Sequence, residues 1–307
     1  MRTALISSPR SRKNRRDPGL AERVLGVMPQ GSDLYSARTM IEMAQAAGDC
    51  QLKGVTCVYL LGGDGTHRVA IDALVTAYGE SHLPRLVFLR GGTMNTMTSG
   101  LGIPRRSPES LAARAASGQA RTIVQPLLRI DDTAGPHYGF LFGTGAIYQF
   151  LAEYLDTENP TPLHSAATLG KTLLEAAGLR KEKILRRQHV SLCVDSQPAT
   201  HNDVLCIAAG TIEHMGFGFR PFRGVVGTSG TFGGLSLFGP IADVPRMLWD
   251  LRLGRNLSAR MVEHFQCQSM TLTQDNHEAI AYQIDGDLMP ASPHIRVQRG
   301  PVITLVV

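Results

Sequence analysis

Val55 to Leu61 is an unbroken, β-rich apolar run that ends in Gly62-Gly63, and Val69, Ala70, Ala73, Leu74 and Ala77 then recur on one helical face. Strand, glycine turn and helix follow in that order. Leu86 to Leu89 followed by Gly91-Gly92 repeats the theme, and Ser107-Pro108-Glu109 offers an N-cap and a first-turn Pro for a helix through about Ser117. Upstream, Thr3 to Ser7 reads as a buried strand and Asp17-Pro18 as the start of a helix running to about Val27. Ala37, Met40, Ile41, Ala44 and Ala47 mark a further helix. Parallel strands need crossover helices, so this alternation to about residue 120 predicts a mostly parallel, doubly wound α/β sheet.

Beyond Arg121 the texture changes. Val190, Leu192 and Val194 alternate, Val204 to Ala209 is apolar, and strand-like stretches recur near 261–272, 279–284 and 295–306. This half is predicted to be mainly antiparallel β, interrupted by helices near Ala146–Leu155, Ala166–Gly178 and Asp243–Leu253. No internal repeat or long linker is seen.

At roughly 100–200 residues per domain, 307 residues suit two domains. With 43% hydrophobic and 19% charged residues the chain is neither disordered nor collagen-like. The net charge is +5, yet Arg2, Arg10, Arg12, Lys13, Arg15 and Arg16 precede the first acid, Asp17, so the excess is N-terminal. Such a cluster meets phosphates or an anionic membrane, or is a solvated face. No chain-wide basic stripe is present, and nucleic acid is not an expected partner. Five widely spaced cysteines suit reduced thiols, no structural zinc spacing occurs, and no stretch approaches the ~18 apolar residues of a spanning helix. The expected location is the cytoplasm, with at most peripheral membrane contact.

Leu60-Leu61-Gly62-Gly63-Asp64-Gly65-Thr66 lies where a sheet strand passes into a helix, the usual ligand position of α/β folds. Glycines let phosphate oxygens approach backbone N–H groups, Thr66 adds a hydroxyl, and the helix presents its positive end. Asp64 would repel a phosphate unless a cation intervenes, which points to Mg²⁺ or an acid/base role. The alternative is an ordinary glycine turn with Asp as a helix cap. A second polar loop, Gly91-Gly92-Thr93-Met94-Asn95-Thr96, follows the next strand and could wall the same crevice.

Gly62 to Thr66, Gly92 to Asn95 followed by Leu101-Gly102-Ile103-Pro104, and Ile284-Asp285-Gly286-Asp287 resemble, in their order, the diacylglycerol kinase catalytic-domain family of bacterial lipid kinases, sphingosine kinases and ceramide kinases. Ser8-Pro9-Arg10-Ser11 resembles the family's N-terminal motif, Gly216 to Pro221 its glycine-rich segment, and Ile295 to Val307 its closing strands. The resemblance implies an ATP cleft between an N-terminal α/β domain (1–124, with 296–307 returning) and a C-terminal antiparallel β-sandwich domain (125–295). It also implies that Gly62, Gly63, Asp64, Gly65, Thr66, Thr93 and Asn95 hold the nucleotide, that Ser36 or Ser32 stands near it, and that Asp287 is the base supported by Asp285. Asp64, which would position Mg²⁺ and phosphate, is the competing base. The sequence departs from the family at Ser8, Thr96 and Asp287. Gly227 to Leu235 lacks the acid of the family's structural Mg²⁺ site, so that site is not expected.

The expected function is therefore an ATP-dependent lipid kinase with ATP and Mg²⁺ as cofactors, acting on a lipid hydroxyl of a diacylglycerol, ceramide or sphingoid base. A lipid substrate and an anionic membrane are the expected partners. The alternatives are an NAD kinase-like enzyme and a non-catalytic lipid or nucleotide sensor. Tyr138, Phe140, Leu141, Phe142, Ile147, Phe150, Leu151 and Leu155 line a lipid channel or form core. Arg180, Lys181, Lys183, Arg186 and Arg187 face lipid headgroups or are a solvated helix end, and Arg220 is a candidate phosphate contact.

Overall fold

The computed structural model describes residues 2–92, 95–156, 162–216, 218–222, 230–274 and 278–307. The chain divides into two compact units, Met1–Leu127 with Gly300–Val307, and Leu128–Arg299. The first unit contains β1 (Thr3–Ser7), α1 (Arg12–Arg16), α2 (Leu20–Gly26), β2 (Asp33–Ser36), α3 (Met40–Leu52), β3 (Cys57–Gly62), α4 (Asp64–Tyr78), β4 (Arg85–Arg90), α5 (Thr96–Gly100), α6 (Pro108–Ala116) and the start of β5 (Thr122–Asp131). Strands β2-β1-β3-β4 form a parallel sheet in that order. Val58, Tyr59, Leu60 and Leu61 of β3 are fully buried, the continuous apolar texture of a strand covered on both faces.

Two local readings of this unit are corrected. Asp17-Pro18 does not start a helix: Asp17 ends α1, and α2 begins after Gly19, with the Leu20 amide donating to the Asp17 carbonyl. The Asp17 carboxylate is taken by Arg23 one turn into α2, which removes it from capping. In α3, Thr39 and Glu42 form a capping box, and the buried face is Met43, Ala46, Ala47 and Cys50. Met40 and Ile41 lie on the exposed side.

The second unit holds β6 (Pro136–Gly139), β7 (Leu141–Thr144), α7 (Ala146–Leu155), α8 (Pro162–Ala176), β8 (Gln188–His189), β9 (Ser191–Val194), β10 (Gln197–Pro198), β11 (Asp203–Val204) and β12 (Cys206–Gly210). It continues with β13 (Phe232–Leu237), α9 (Val244–Leu253), β14 (Val262–Cys267), β15 (Ser269–Thr273), β16 (Ile280–Ile284), β17 (Asp287–Ser292) and most of β18 (His294–Val306). Strands β14-β13-β12-β7-β16-β17 form one antiparallel sheet, and β10-β9-β15-β18 pair antiparallel in a second. Phe142, Ile207, Phe232, Tyr282 and Ile284 of the first sheet share one buried core with Leu192, Met270, Leu272, Ile295 and Val297 of the second. Two antiparallel sheets closed on a common core are a β-sandwich. The end of β18 belongs to the first unit, where Leu305 pairs in parallel with Leu86 of β4.

Candidate functional site

The two glycine loops leave adjacent parallel strands at their carboxyl ends and pack backbone against backbone. The Gly91 amide donates to the Gly62 carbonyl at 2.7 Å. A Cβ on Gly92 would stand 2.7 Å from the Gly63 Cα, and one on Gly62 would strike the Thr66 side chain at 2.4 Å. These contacts give Gly62 and Gly92 a packing reason to be glycine beside any ligand. Gly63 is the N-cap of α4 and has no side chain with which to cap it. No N-cap side chain occupies the start of α4, and this positive helix end suits a phosphate.

Asp64 does cap a helix, but not its own. Its Oδ2 accepts the Thr96 amide at 2.8 Å and its Oδ1 the Met97 amide at 3.2 Å, so the carboxylate ties the start of α4 to the start of α5. Asn95 sits in the left-handed region (φ 50°), a conformation Asn tolerates. Its side chain brackets Gly92, accepting the Gly92 amide at 3.2 Å and donating to the Gly92 carbonyl at 3.0 Å. Both polar atoms of Asn95 therefore close the loop. Thr93, between these anchors, lies outside the described residues, as does Met94.

Sequence reading missed Arg90 at the end of β4. Its buried guanidinium donates to the Ile103 carbonyl at 2.8 Å and to Ser99 Oγ at 2.5 Å, which holds the far end of α5. Burial lowers its proton affinity, with Arg105 adding to the effect and Asp64 opposing it. An arginine closing an otherwise apolar strand was the available signal. Beneath the first loop, His67 is fully buried, stacks on Phe88, and faces the Leu60 carbonyl through Nε2 at 3.3 Å. Burial pushes its pKa down to about 4, so the ring is neutral.

The N-terminal segment joins the same strand ends. The Ser8 amide donates to the Leu61 carbonyl and the Lys13 amide to the Gly91 carbonyl. Asn14 donates to Ser7 Oγ at 2.9 Å and to the Ser8 carbonyl at 2.7 Å. Half-burial lowers the Lys13 ammonium's pKa, partly offset by Glu109, whereas Arg12, Arg15 and Arg16 are exposed. The two serine candidates separate cleanly. Ser36 pairs with Ser7 at the carboxyl end of its parallel strand, on the side of the loops. Ser32 precedes β2 at the opposite end and is bound to Thr3 and Pro29.

In the second unit, Asp285-Gly286 is the two-residue turn of the β16–β17 hairpin, with φ of 52° and 94°. Positive φ at both central residues is the type I′ signature. Asp285 and Asp287 therefore do not share one strand face: Asp285 is in the turn, and Asp287 opens β17 opposite Ile284. The Asp285 carboxylate accepts the Phe140 amide at 3.0 Å and the Leu141 amide at 2.9 Å, fixing the β6–β7 junction. Asp287 is half-buried.

Of the apolar candidates, Tyr138, Phe140, Leu141 and Phe142 are core. On α7, only Tyr154 is buried, while Ile147, Phe150 and Leu151 are half-buried and Leu155 exposed. From the basic run, Lys183 and Arg180 pair with Glu153 and Arg187 with Asp203, whereas Lys181 and Arg186 are exposed. Arg220 is exposed and its amide bonds the Leu251 carbonyl at 3.3 Å. Residues 227–229 of the segment lacking the family's metal-site acid lie outside the described residues. Among the described residues, no helix is long and apolar enough to cross a membrane.

Comparison with known proteins agrees with this architecture. Residues 9–125 match the family model described as the diacylglycerol kinase catalytic domain. The fold is similar to that of a diacylglycerol kinase from Bacillus anthracis str. Sterne, with a TM-score of 0.69 at 16% identity, covering 99% of this chain and 96% of that one. It is more distantly similar to yeast NADH kinase, solved in complex with NADH, with a TM-score of 0.52 at 9% identity, covering all of this chain and 83% of that one. No curated protein matches the chain.

Proposed function

We infer that this chain, whose residues 9–125 match the diacylglycerol kinase catalytic-domain model, is an ATP-dependent lipid kinase. The observation that carries the reading is the pair of glycine loops at the ends of β3 and β4, one opening α4 without a side-chain cap and the other clamped by Asn95 and Asp64. Backbone N–H groups at Asp64 to Thr66 would take the phosphates of ATP. Phosphoryl transfer needs positioning and charge stabilisation more than covalent chemistry, so few side chains suffice.

In the proposed step a lipid hydroxyl oxygen attacks the γ-phosphorus, the bond to the β,γ-bridging oxygen breaks, and ADP leaves. The hydroxyl proton passes to the carboxylate of Asp287. Asp285, with its oxygens committed to Phe140 and Leu141, supports the hairpin and so the place of Asp287. Magnesium bound with ATP would supply charge neutralisation. A carboxylate has about four acceptor sites, so Asp64 can serve both α5 and that cation. The half-buried apolar residues of α7 favour a lipid over a polar acceptor.

The test is incubation of the purified chain with γ-labelled ATP and a panel of diacylglycerol, ceramide, sphingoid base and NAD in mixed micelles. Labelled lipid is expected. Labelled dinucleotide would make it an NAD kinase-like enzyme, and no labelled product with ATP still bound would make it a sensor.

A further inference from the structure

Among the described residues of the second unit, every exposed large hydrophobic side chain lies on or beside a helix. These are Leu155, Leu173, Leu174, Leu179, Trp249 and Leu253, and the strands contribute none. Isolated exposed apolar residues are ordinary, but normally they are scattered over a surface. Here α7 packs on α8 and α8 on α9, so the group is gathered on one run of helices.

α9 has the clearest pattern. Val244 and Met247 face inward, whereas Arg246, Trp249 and Leu253, at i, i+3 and i+7, line the outward face. A solvated helix would put polar side chains there. Trp249 is 62% exposed and Leu253 47%, one turn apart. Residues 243–260 carry four arginines against two aspartates, and Asp250 is already paired with Arg255. Lys181 and Arg186, shortly after the exposed Leu179, add exposed cations.

We propose that the outward face of α9, centred on Trp249 and Leu253, docks on an anionic lipid surface. Indole settles at headgroup depth, the leucine reaches the acyl boundary, and the arginines meet lipid phosphates. This is a different surface from the N-terminal basic cluster. It deepens the lipid-acceptor reading by giving the enzyme a route to a membrane-embedded substrate.

The chain has a single tryptophan, so its intrinsic fluorescence reports on position 249 alone. The full chain is titrated with phosphatidylcholine vesicles and with vesicles containing phosphatidylglycerol, and binding is followed in parallel by sedimentation. The expected result is a blue-shifted emission and protection from acrylamide with the anionic vesicles, both reduced by added salt. Leu253→Asp, which keeps the reporter, should weaken vesicle binding about tenfold while leaving ATP binding intact. Sedimentation with vesicles but no change in Trp249 emission would overturn the proposal, as would no vesicle binding at all. A blue shift that grows with protein concentration without lipid would assign the face to a second copy instead. Phosphorylation in mixed micelles tests the lipid kinase reading separately, so the failure of one is distinguishable from the failure of the other.

Discussion

The carboxylate of Asp64, in the first glycine loop, accepts the backbone amide of Thr96 in the second at 2.8 Å. An acid that would repel phosphate is thereby turned toward the N-terminus of another helix, where a negative charge is favourable. The two loops become one structural object, held by this bond, by the Gly91–Gly62 bond and by the Asn95 clamp on Gly92.

Asp64→Asn tests that linkage. An amide keeps the size but offers only one accepting oxygen, so one of the Thr96 and Met97 amides loses its partner. A destabilisation of about 1–3 kcal/mol is expected, together with weaker ATP binding. Thermal unfolding and calorimetry measure the two effects. An unchanged melting temperature would mean that these bonds contribute nothing to the loop.

The glycines separate packing from ligand approach. Gly92→Ala drives a methyl group into the Gly63 backbone and should lower the melting temperature with or without nucleotide. Gly65→Val, in its folded form, should lose ATP affinity at least about tenfold, because its side chain blocks close approach to the backbone amides. If Gly65→Val binds ATP normally while folded, the phosphates lie elsewhere.

His67 makes stability depend on pH. Its folded pKa is depressed to about 4 from an ordinary 6.5, chiefly by burial. Above pH 6.5 the ring is neutral in both states. As pH falls from 6.5 toward 4, the unfolded chain takes up a proton that the folded chain refuses, and about 3 kcal/mol is lost by pH 4. His67→Gln cannot titrate. The difference in urea stability between pH 7.5 and pH 4 should therefore be about 3 kcal/mol smaller in the variant than in wild type. Equal losses in both would show that His67 is not the group responsible.

The strands β1, β3 and β4 and the helices α4 and α6 were legible because burial on both faces makes apolar runs, and Ser107 caps α6 as its sequence suggests. The five-residue helix α1 was not, since its Arg-rich sequence has no periodic apolar face and it is held through Lys13 and Asn14 from outside. The motif glycines were visible, yet the partner of Asp64 was not. That bond joins residues 32 positions apart, and no local pattern encodes it. On α3 the alanines and methionines fit more than one helical face, and only packing selects Met43, Ala46, Ala47 and Cys50.

The acidic hairpin supplies the decisive comparison. Asp285 holds the Phe140 and Leu141 amides from a left-handed turn position, so Asp285→Ala both strains the backbone and strands those donors. It should cost more than about 2 kcal/mol of stability, and any loss of activity would follow from that. Asp287 opens β17 and is half-buried, so Asp287→Asn should stay folded and bind ATP. If Asp287 takes the proton of the attacking hydroxyl, its amide variant should lose about 10²- to 10⁴-fold in kcat with little change in ATP affinity. A near-normal kcat for Asp287→Asn, set beside an Asp64→Asn enzyme that binds ATP but does not turn over, would transfer the role of base to Asp64. Asp287 would then be a structural residue at the start of β17.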